Sequence, residues 1–510
     1  MLDKYWKHFK SGTDIRGVAS DGAPDGQEID LTDENIKKMT AGFLLWLYDD
    51  TRVQPEKMTI SVGHDSRISA QRIQDDVVKV LQGAGCHVLR CGLASTPSMF
   101  MTTVDLACTG AVQITASHHP FFRNGLKFFT RDGGLEGSDI EEILLHAQNG
   151  DILPQKSGAV EDVNYMTQYS ARLRKMIQDG VQAQDYAHPL SNFHIVVDAG
   201  NGAGGFYAKD VLEPLGADTS GSQFLEPDGT FPNHIPNPEN EEAMKSVCSA
   251  VVQHHADLGV IFDTDVDRGG AVDSHGEEIN RNRLVALASA IALEDAQGGT
   301  VVTDSVTSDG LKIYIEQVLG GRQRRYKRGY KNVIDEALRL NKAGVNCPLA
   351  IETSGHAAMR ENYFLDDGAY LVTKIIIKAA VLRRKGKGLE DLLKELPEPV
   401  EAVEVRMPIL AEDFRAEGEA ILQGLRTCAG HQPHWTVGAE GCEGVRISFD
   451  TQAGDGWALL RLSVHDPIMP LNIESNMAGG THLIAGQLYV NLRMRENLDT
   501  SPLETFISND

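Results

Sequence analysis

The sequence predicts an α/β protein, with three similar mixed-sheet α/β domains followed by a C-terminal α+β domain. Three observations lead there. First, a strand, a polar loop, a helix, a glycine and a second strand recur from Met58 through Gly83 to Val88, from His194 through Gly216, and from Thr300 through Gly320. Second, the pattern changes after Pro397-Glu-Pro399, where Val403-Glu-Val-Arg-Met407 and Val445-Arg-Ile447 alternate with the period of antiparallel strands. Third, 510 residues are too many for one hydrophobic core, and length alone argues for about three or four domains. The expected divisions are 1–153, 154–283, 284–398 and 399–510.

Within each α/β repeat, short β-branched runs precede helical stretches such as Ile73–Leu81, as parallel strands with crossover helices require. Ligands of open α/β sheets bind at the C-terminal ends of the strands. The polar loops found there are therefore the places to look for chemistry.

The first such loop follows Ala111-Val-Gln-Ile-Thr115, an apolar strand that runs into Ser117-His118-His119-Pro120, with a turn signal at Asn124-Gly125. A hydroxyl at a strand end is rigidly held and open to a ligand, so Ser117 is the candidate reacting group. The competing reading is a turn serine bonded to its own backbone.

The second repeat opens with His194-Ile-Val-Val197 and the turn Asp198-Ala-Gly200-Asn-Gly202-Ala-Gly-Gly205, which fits Gly-x-Gly-x-x-Gly. A dinucleotide site also needs an acidic residue at the end of the next strand, and Glu226 sits instead in a Pro-Asp-Gly turn. The glycines are read as a tight strand-to-helix turn.

Next comes Leu258-Gly-Val-Ile-Phe262, a buried strand running into Asp263, Asp265 and Asp267 and then Arg268. Three carboxylates so close repel one another, and a divalent cation with oxygen ligands, Mg²⁺ here, relieves them. An EF-hand is excluded because Arg268 stands where its turn glycine belongs and Ser274 where its bidentate glutamate belongs. A solvated acidic loop is the bland alternative. The nucleophilic Asp-x-Asp of a haloacid-dehalogenase-like phosphatase is another, and Arg268 suits phosphate beside the metal in either case.

In the third repeat, Pro348-Leu-Ala-Ile351 leads into Glu352-Thr-Ser354-Gly355-His356. A carboxylate accepts hydrogen bonds from neighbouring sugar hydroxyls, Ser354 and His356 add polar contacts, and Gly355 lets the backbone approach closely. A plain polar turn has the same composition.

Together these segments resemble the α-D-phosphohexomutase superfamily, which includes phosphoglucomutase and phosphomannomutase. Thr115-Ala-Ser117-His118-His119-Pro120 is similar to the family's Thr-x-Ser-His-Asn-Pro, with histidine for asparagine, and Asn124-Gly125-Leu-Lys127 to its Asn-Gly-x-Lys. The loops 263–268 and 352–356 match in full, and Gly12-Thr-Asp-Ile-Arg16-Gly17 looks like the Asp-Ile-Arg-Gly element. The C-terminal phosphate loop departs from the family's Arg-x-Ser pattern. Arg461 and Ser463 fit it, Val464 offers no donor, His465 is a substitute donor and Asp466 adds a negative charge. Arg461 reads equally as a paired strand residue. Lys327, in Tyr326-Lys-Arg-Gly-Tyr-Lys331, lies where the family touches the sugar phosphate, although Arg322, Arg324 and Arg325 before it also suit a solvated basic helix start.

The resemblance implies four domains around a central cleft, contributing in turn the phosphoserine, metal, sugar and phosphate loops. It implies a mutase that interconverts hexose 1-phosphate and hexose 6-phosphate of glucose or mannose, or both, through a phosphoserine at Ser117. Glucose 1,6-bisphosphate is the implied activator and intermediate. Ser117, Asp263, Asp265 and Asp267 are the implied Mg²⁺ ligands, Lys127, with Arg16 nearby, the general acid/base partner of the sugar hydroxyl, and His118 a positioning residue. Arg268, Lys327, Glu352, Ser354, His356, Arg461, Ser463 and His465 are the implied substrate contacts. The Glu-x-Ser-Gly-His form of the sugar loop resembles enzymes that accept both glucose and mannose phosphates, with glucosamine phosphate ranked third. A Mg²⁺-dependent sugar phosphatase and a non-catalytic sugar-phosphate-binding relative are the alternatives.

Composition sets outer bounds. Apolar residues make up 41% of the chain, and 72 acidic against 48 basic residues leave a net charge of −24, which argues against nucleic-acid or anionic-membrane partners. A phosphorylated substrate then needs a local answer, with Arg16, Lys127, Arg268, Lys327 and Arg461 converging in the cleft. Seven cysteines, an odd number without CxxC pairs, point to reduced thiols. The N-terminus lacks an apolar secretory core, and no run approaches the roughly 20 apolar residues of a membrane span. The expectation is a soluble cytoplasmic monomer or homodimer, or an organellar protein that has lost a transit peptide.

Overall fold

The computed structural model describes residues 1–438, 443–463 and 466–509. They form two compact units, one of Met1–Ile291 with Ser354–Leu393 and the other of Ala292–Thr353 with the chain from Lys394 onward.

The first unit holds two mixed sheets. In the larger, Thr59–His64 lies parallel to both His87–Leu93 and Gly110–Ile114, and Val160–Asp162 extends the parallel side. Arg123–Thr130 returns antiparallel to Gly110–Ile114, and Asp14–Val18 pairs antiparallel beyond it. Helix Asp33–Thr51 starts at Thr32, whose hydroxyl accepts from Asn35 N–H and satisfies one of the amides left open at a helix start. Its Phe43 stacks on Phe128 of the sheet with ring centroids 4.4 Å apart. The expected helix at 73–81 runs from Ala70 to Gly83, and its Ile73, Val77 and Leu81, spaced one turn apart, are fully buried.

In the smaller sheet Ile195–Asp198 and Leu258–Phe262 are parallel, and Gly269–Val272 returns antiparallel. Both sheets thus add antiparallel strands to a parallel pair, and this places the two chemically loaded loops. Residues 115–122 and 263–268 each connect antiparallel neighbours, so they are hairpin loops and not the strand-to-helix turns of a simple crossover. Helix Gly368–Arg383 begins against the second loop, with Gly368 N–H donating to Val266 O at 3.1 Å. Its N-cap Asp367 accepts from Tyr169 Oη at 2.7 Å, tying it to helix Tyr165–Val181.

In the second unit Thr300–Thr303 lies parallel to Arg322–Arg325 and Leu349–Ile351. The chain after Pro399 forms the expected antiparallel sheet, in the order Glu401–Pro408, Ile468–Ser475, Gly456–Leu460, Val445–Phe449, Trp435–Val437. Val405, Met407, Val445 and Ile447 point into a core that includes Leu471, Ile484 and Leu488. Glu404 and Arg406 between them face outward, which is the alternation the sequence shows. No helix among the described residues is long and apolar enough to cross a membrane.

Candidate active site

Ser117 sits at the tip of its hairpin loop, buried, with φ near +50°, a conformation rare for residues other than glycine. Its Oγ accepts from Arg268 Nη2 at 2.9 Å, donates to Asp263 Oδ2 at 3.2 Å, and lies 3.3 Å from His118 Nδ1. Arg268 Nη2 also donates to His118 Nδ1 at 2.5 Å. Next to that guanidinium, and buried, His118 is held well below the usual imidazole range, so it is neutral and accepts at Nδ1. Arg16 and Lys127 come from paired neighbouring strands. Arg16 is opposite Gly125, where an added Cβ would lie 2.2 Å from Ile15 O, so only glycine allows the pairing that puts the two cations on one face of the sheet.

The three aspartates are buried, and one oxygen from each lies within 4.8 Å of the others. Lys127 Nζ donates to Asp265 Oδ2 at 3.1 Å and to Asp267 Oδ2 at 2.5 Å. Asp265 Oδ2 also accepts from Thr96 Oγ1 at 2.5 Å. Burial, and then repulsion from Asp267 and Asp265, push Asp263 well up. Burial opposes ionisation of Asp267 too, but Lys127, His356 and Arg268 outweigh it and hold that carboxyl low. Asp265 Oδ1 and Asp267 Oδ1 are buried without a hydrogen-bond partner among the described residues. Buried carboxylates converging from three aspartates, with these two oxygens lacking hydrogen-bond donors, form the oxygen donor set a divalent cation takes, so the residues fit a metal. The loop is also strained at Val266, a β-branched residue with φ of 68°.

His356 Nδ1 lies 2.5 Å from Asp366 Oδ2 and 3.9 Å from Asp267 Oδ1. Burial would lower its pKa, but the carboxylates of Asp366 and then Asp267 outweigh burial and raise it above the ordinary imidazole value. Ser354 Oγ nearby in the chain is buried without a hydrogen-bond partner among the described residues. Ser117, His118, Arg16, Lys127, the aspartates, Arg268, Ser354 and His356 all belong to the first unit.

Glu352, Lys327, Arg461 and Ser463 belong to the second unit. Glu352 accepts from Gly329 N–H at 2.5 Å. Lys327 and Ser463 line a cavity of about 500 Å³ with Arg426 and Glu443. Glu443 accepts from Ser305 Oγ at 2.8 Å and from Arg328 N–H at 3.2 Å, and Arg461 Nε is 3.7 Å from its Oε1. His465 lies outside the described residues.

Several contributors carry no signal in the local sequence. Thr96 and Asp366 hold Asp265 and His356, Asn237 Oδ1 accepts from Arg268 Nη1 at 3.3 Å, and Glu443 sits beside Arg461. The glycine turn at 200–205 has a structural purpose. Ala203 N–H donates to Thr264 O at 2.8 Å, and a Cβ on Gly202 would lie 2.5 Å from that oxygen. The turn braces the aspartate loop from behind.

Comparison with known proteins gives the family. Family models described as phosphoglucomutase/phosphomannomutase alpha/beta/alpha domains I, II and III match residues 9–151, 172–276 and 280–400. A phosphomannomutase/phosphoglucomutase of Pseudomonas syringae pv. tomato is 28% identical over 94% of this chain and 94% of its own. One from Pseudomonas putida is 29% identical over 82% and 83%. An X-ray structure of a phosphoglucomutase/phosphomannomutase family protein from Burkholderia thailandensis superposes with a TM-score of 0.78 at 24% identity, covering 97% of this chain and 98% of that one, and shares the fold. With three consecutive family domains spanning most of its length, the chain belongs to the phosphoglucomutase/phosphomannomutase family of α-D-phosphohexomutases.

Proposed function

We infer that this phosphohexomutase interconverts the 1-phosphate and 6-phosphate of glucose, mannose or both, by way of phosphorylated Ser117 and a hexose 1,6-bisphosphate. The observation that carries the reading is the setting of Ser117 Oγ, within hydrogen-bonding reach of both Asp263 and Arg268. In the forward half-reaction the Oγ–P bond breaks as a bond forms between phosphorus and a sugar hydroxyl oxygen. The hydroxyl proton passes to Lys127 Nζ in its neutral amine form, the ammonium having first lost a proton to solvent, and Arg268 holds the charge that returns to Oγ. The bisphosphate turns over and the reverse transfer to Ser117 releases the isomer. Asp263, Asp265, Asp267 and Ser117 would hold Mg²⁺, which when bound supplies charge neutralisation at the moving phosphoryl group. Arg16 adds positive charge on the face of the sheet that carries Lys127, and neutral His118 fixes Arg268.

Glu352, Ser354 and His356 are assigned to the sugar and Lys327, Arg461 and Ser463 to the phosphate that is not reacting. His465 is kept as a phosphate contact on its sequence position alone. The four-domain division at 153, 283 and 398 gives each of these loops a domain of its own. The acidic chain, with a net charge of −24, is read as a cytoplasmic monomer or homodimer with no nucleic-acid or membrane partner.

The test is a coupled assay with Mg²⁺ and a trace of glucose 1,6-bisphosphate, run on glucose 1-phosphate and mannose 1-phosphate with free phosphate monitored. Conversion to 6-phosphates without phosphate release, abolished by Ser117→Ala, is expected. Phosphate release, or near-normal turnover in Ser117→Ala, would refute the mechanism.

A further inference from the structure

A buried, heavily bonded side chain near Ser117 belongs to no loop considered so far. Arg67 follows strand Thr59–His64, is 2% exposed, and spends its guanidinium on the serine loop. Nη1 donates to Pro120 O and Arg123 O, each at 2.8 Å. Nη2 donates to His119 O at 2.7 Å and to the carbonyl of Ser117 itself. Nε donates to Asp65 Oδ2 at 3.2 Å.

The same Asp65 oxygen accepts from Thr115 Oγ1 at 2.7 Å, and Thr115 Oγ1 accepts from Ser117 N–H at 2.9 Å. The bonds close a ring. The amide of Ser117 is gripped through the Thr115 hydroxyl and its carbonyl through Arg67, and both grips meet at Asp65. A planar fork with five donors can hold several carbonyls at once, which the point charge of a lysine cannot. Phe231, its ring centroid 5.2 Å from the Arg67 guanidinium carbon, adds a cation–π contact.

We propose that Arg67, with Asp65 and Thr115, is the positioning residue for phosphoryl transfer, holding Ser117 in its left-handed conformation so that Oγ stays aimed at Asp263 and Arg268. A serine at φ near +50° is rare and persists where the surrounding structure holds it. Relaxation of that one torsion would swing Oγ away from the acceptor while leaving the sugar contacts in place. The clamp therefore acts on kcat and on the phosphoserine, and the proposal rests on the mutase reading above.

The experiment uses the full chain and four variants, Arg67→Lys, Thr115→Val, Thr115→Ser and Ser117→Ala. Turnover of glucose 1-phosphate is measured together with phosphorylation of Ser117 by intact mass after incubation with glucose 1,6-bisphosphate. Arg67→Lys and Thr115→Val should lose about a hundredfold in kcat, the scale of a roughly 1 Å misplacement, with KM within about twofold and a lowered phosphoserine fraction. Thr115→Ser, which keeps the hydroxyl, should recover most of both. Thr115→Val keeps the shape of threonine and decides the matter if Arg67→Lys does not fold. Wild-type kcat and phosphorylation in folded Thr115→Val, or equal damage in Thr115→Ser, would overturn the clamp while leaving the mutase intact. A wild-type protein that neither turns over nor takes up phosphate would instead overturn the mutase reading, and the clamp with it.

Discussion

Lys127 offers the sharpest test of the buried acidic triad. Its ammonium bridges two carboxylates at 3.1 and 2.5 Å, and all three side chains are at most 6% exposed. Replacing it with methionine keeps the stem and removes the charge. Breaking a buried pair from one side costs about 3–5 kcal/mol because the partner is left uncompensated. At roughly 2–4 °C per kcal/mol for a domain of this class, the site-bearing part of the chain should melt some 6–20 °C lower in chelator. Mg²⁺ should change the comparison, because on the proposed function the ion would both bind the aspartates in Lys127→Met and replace the missing counter-charge. A ligand at a hundred times its Kd stabilises by about 2.7 kcal/mol, and the variant should gain more than the wild type, closing most of the gap. The assay is thermal unfolding by circular dichroism with EDTA and with excess Mg²⁺. Equal deficits in both buffers would refute the triad as a cation site served by Lys127. Turnover should be lost in either buffer, since the proposed proton acceptor is gone.

Two further outcomes are expected. His234 Nε2 lies 3.1 and 3.0 Å from the two oxygens of buried Asp198, and although burial pushes the imidazole down, Asp198 wins and its pKa is raised. A raised pKa stabilises fully below the unfolded value of about 6.5 and is lost as pH rises through the folded value. The stability difference between wild type and His234→Gln, from urea unfolding, should therefore be largest on the acid side and fade on the alkaline side, and a difference independent of pH would exclude an ion pair. Glu443→Gln should lower KM for hexose phosphates several-fold, because the carboxylate occupies donors of Ser305 and Arg328 that an incoming phosphate would also use. A higher KM in steady-state kinetics would make Glu443 a support for the loop and not a competitor.

Much of the site was legible because its chemistry is local in sequence. Ser117, the aspartates with Arg268, and Glu352 to His356 each follow a short apolar strand, so strand and loop announce each other within about ten residues. The partners were not legible, since they have no period and stand far away in the chain. Asp265 is held by Thr96, 169 residues before it, and Arg268 Nη2 reaches Ser117 across 151. The antiparallel returns were hidden for a related reason. Arg123–Thr130 and Gly269–Val272 are buried on both faces, so they lack the alternation by which antiparallel strands are recognised. Val403 to Met407, with one face in solvent, shows that alternation and was read correctly. The glycine turn at 200–205 fits a nucleotide motif, and only the contact of Gly202 with Thr264 shows what its missing side chains make room for.

The net charge of −24 and a phosphorylated substrate are reconciled by how the cations are held. Lys127 is paired with Asp265 and Asp267, Arg268 with Asp263, Arg16 with Asp14 at 2.9 Å, and Arg461 stands 3.7 Å from Glu443. Burying a bare guanidinium or ammonium in wait for an anion would cost several kcal/mol, and a carboxylate beside each offsets that cost in the resting protein. A phosphate arriving at such a cation exchanges one anionic partner for another. Its binding free energy is the difference between two ion pairs, which is smaller than either alone. That suits a mutase, because a phosphoryl group that must be handed on and taken back cannot be held by cations with no other partner. On the proposed function, the acidic residues around the site would help phosphate leave as well as bind.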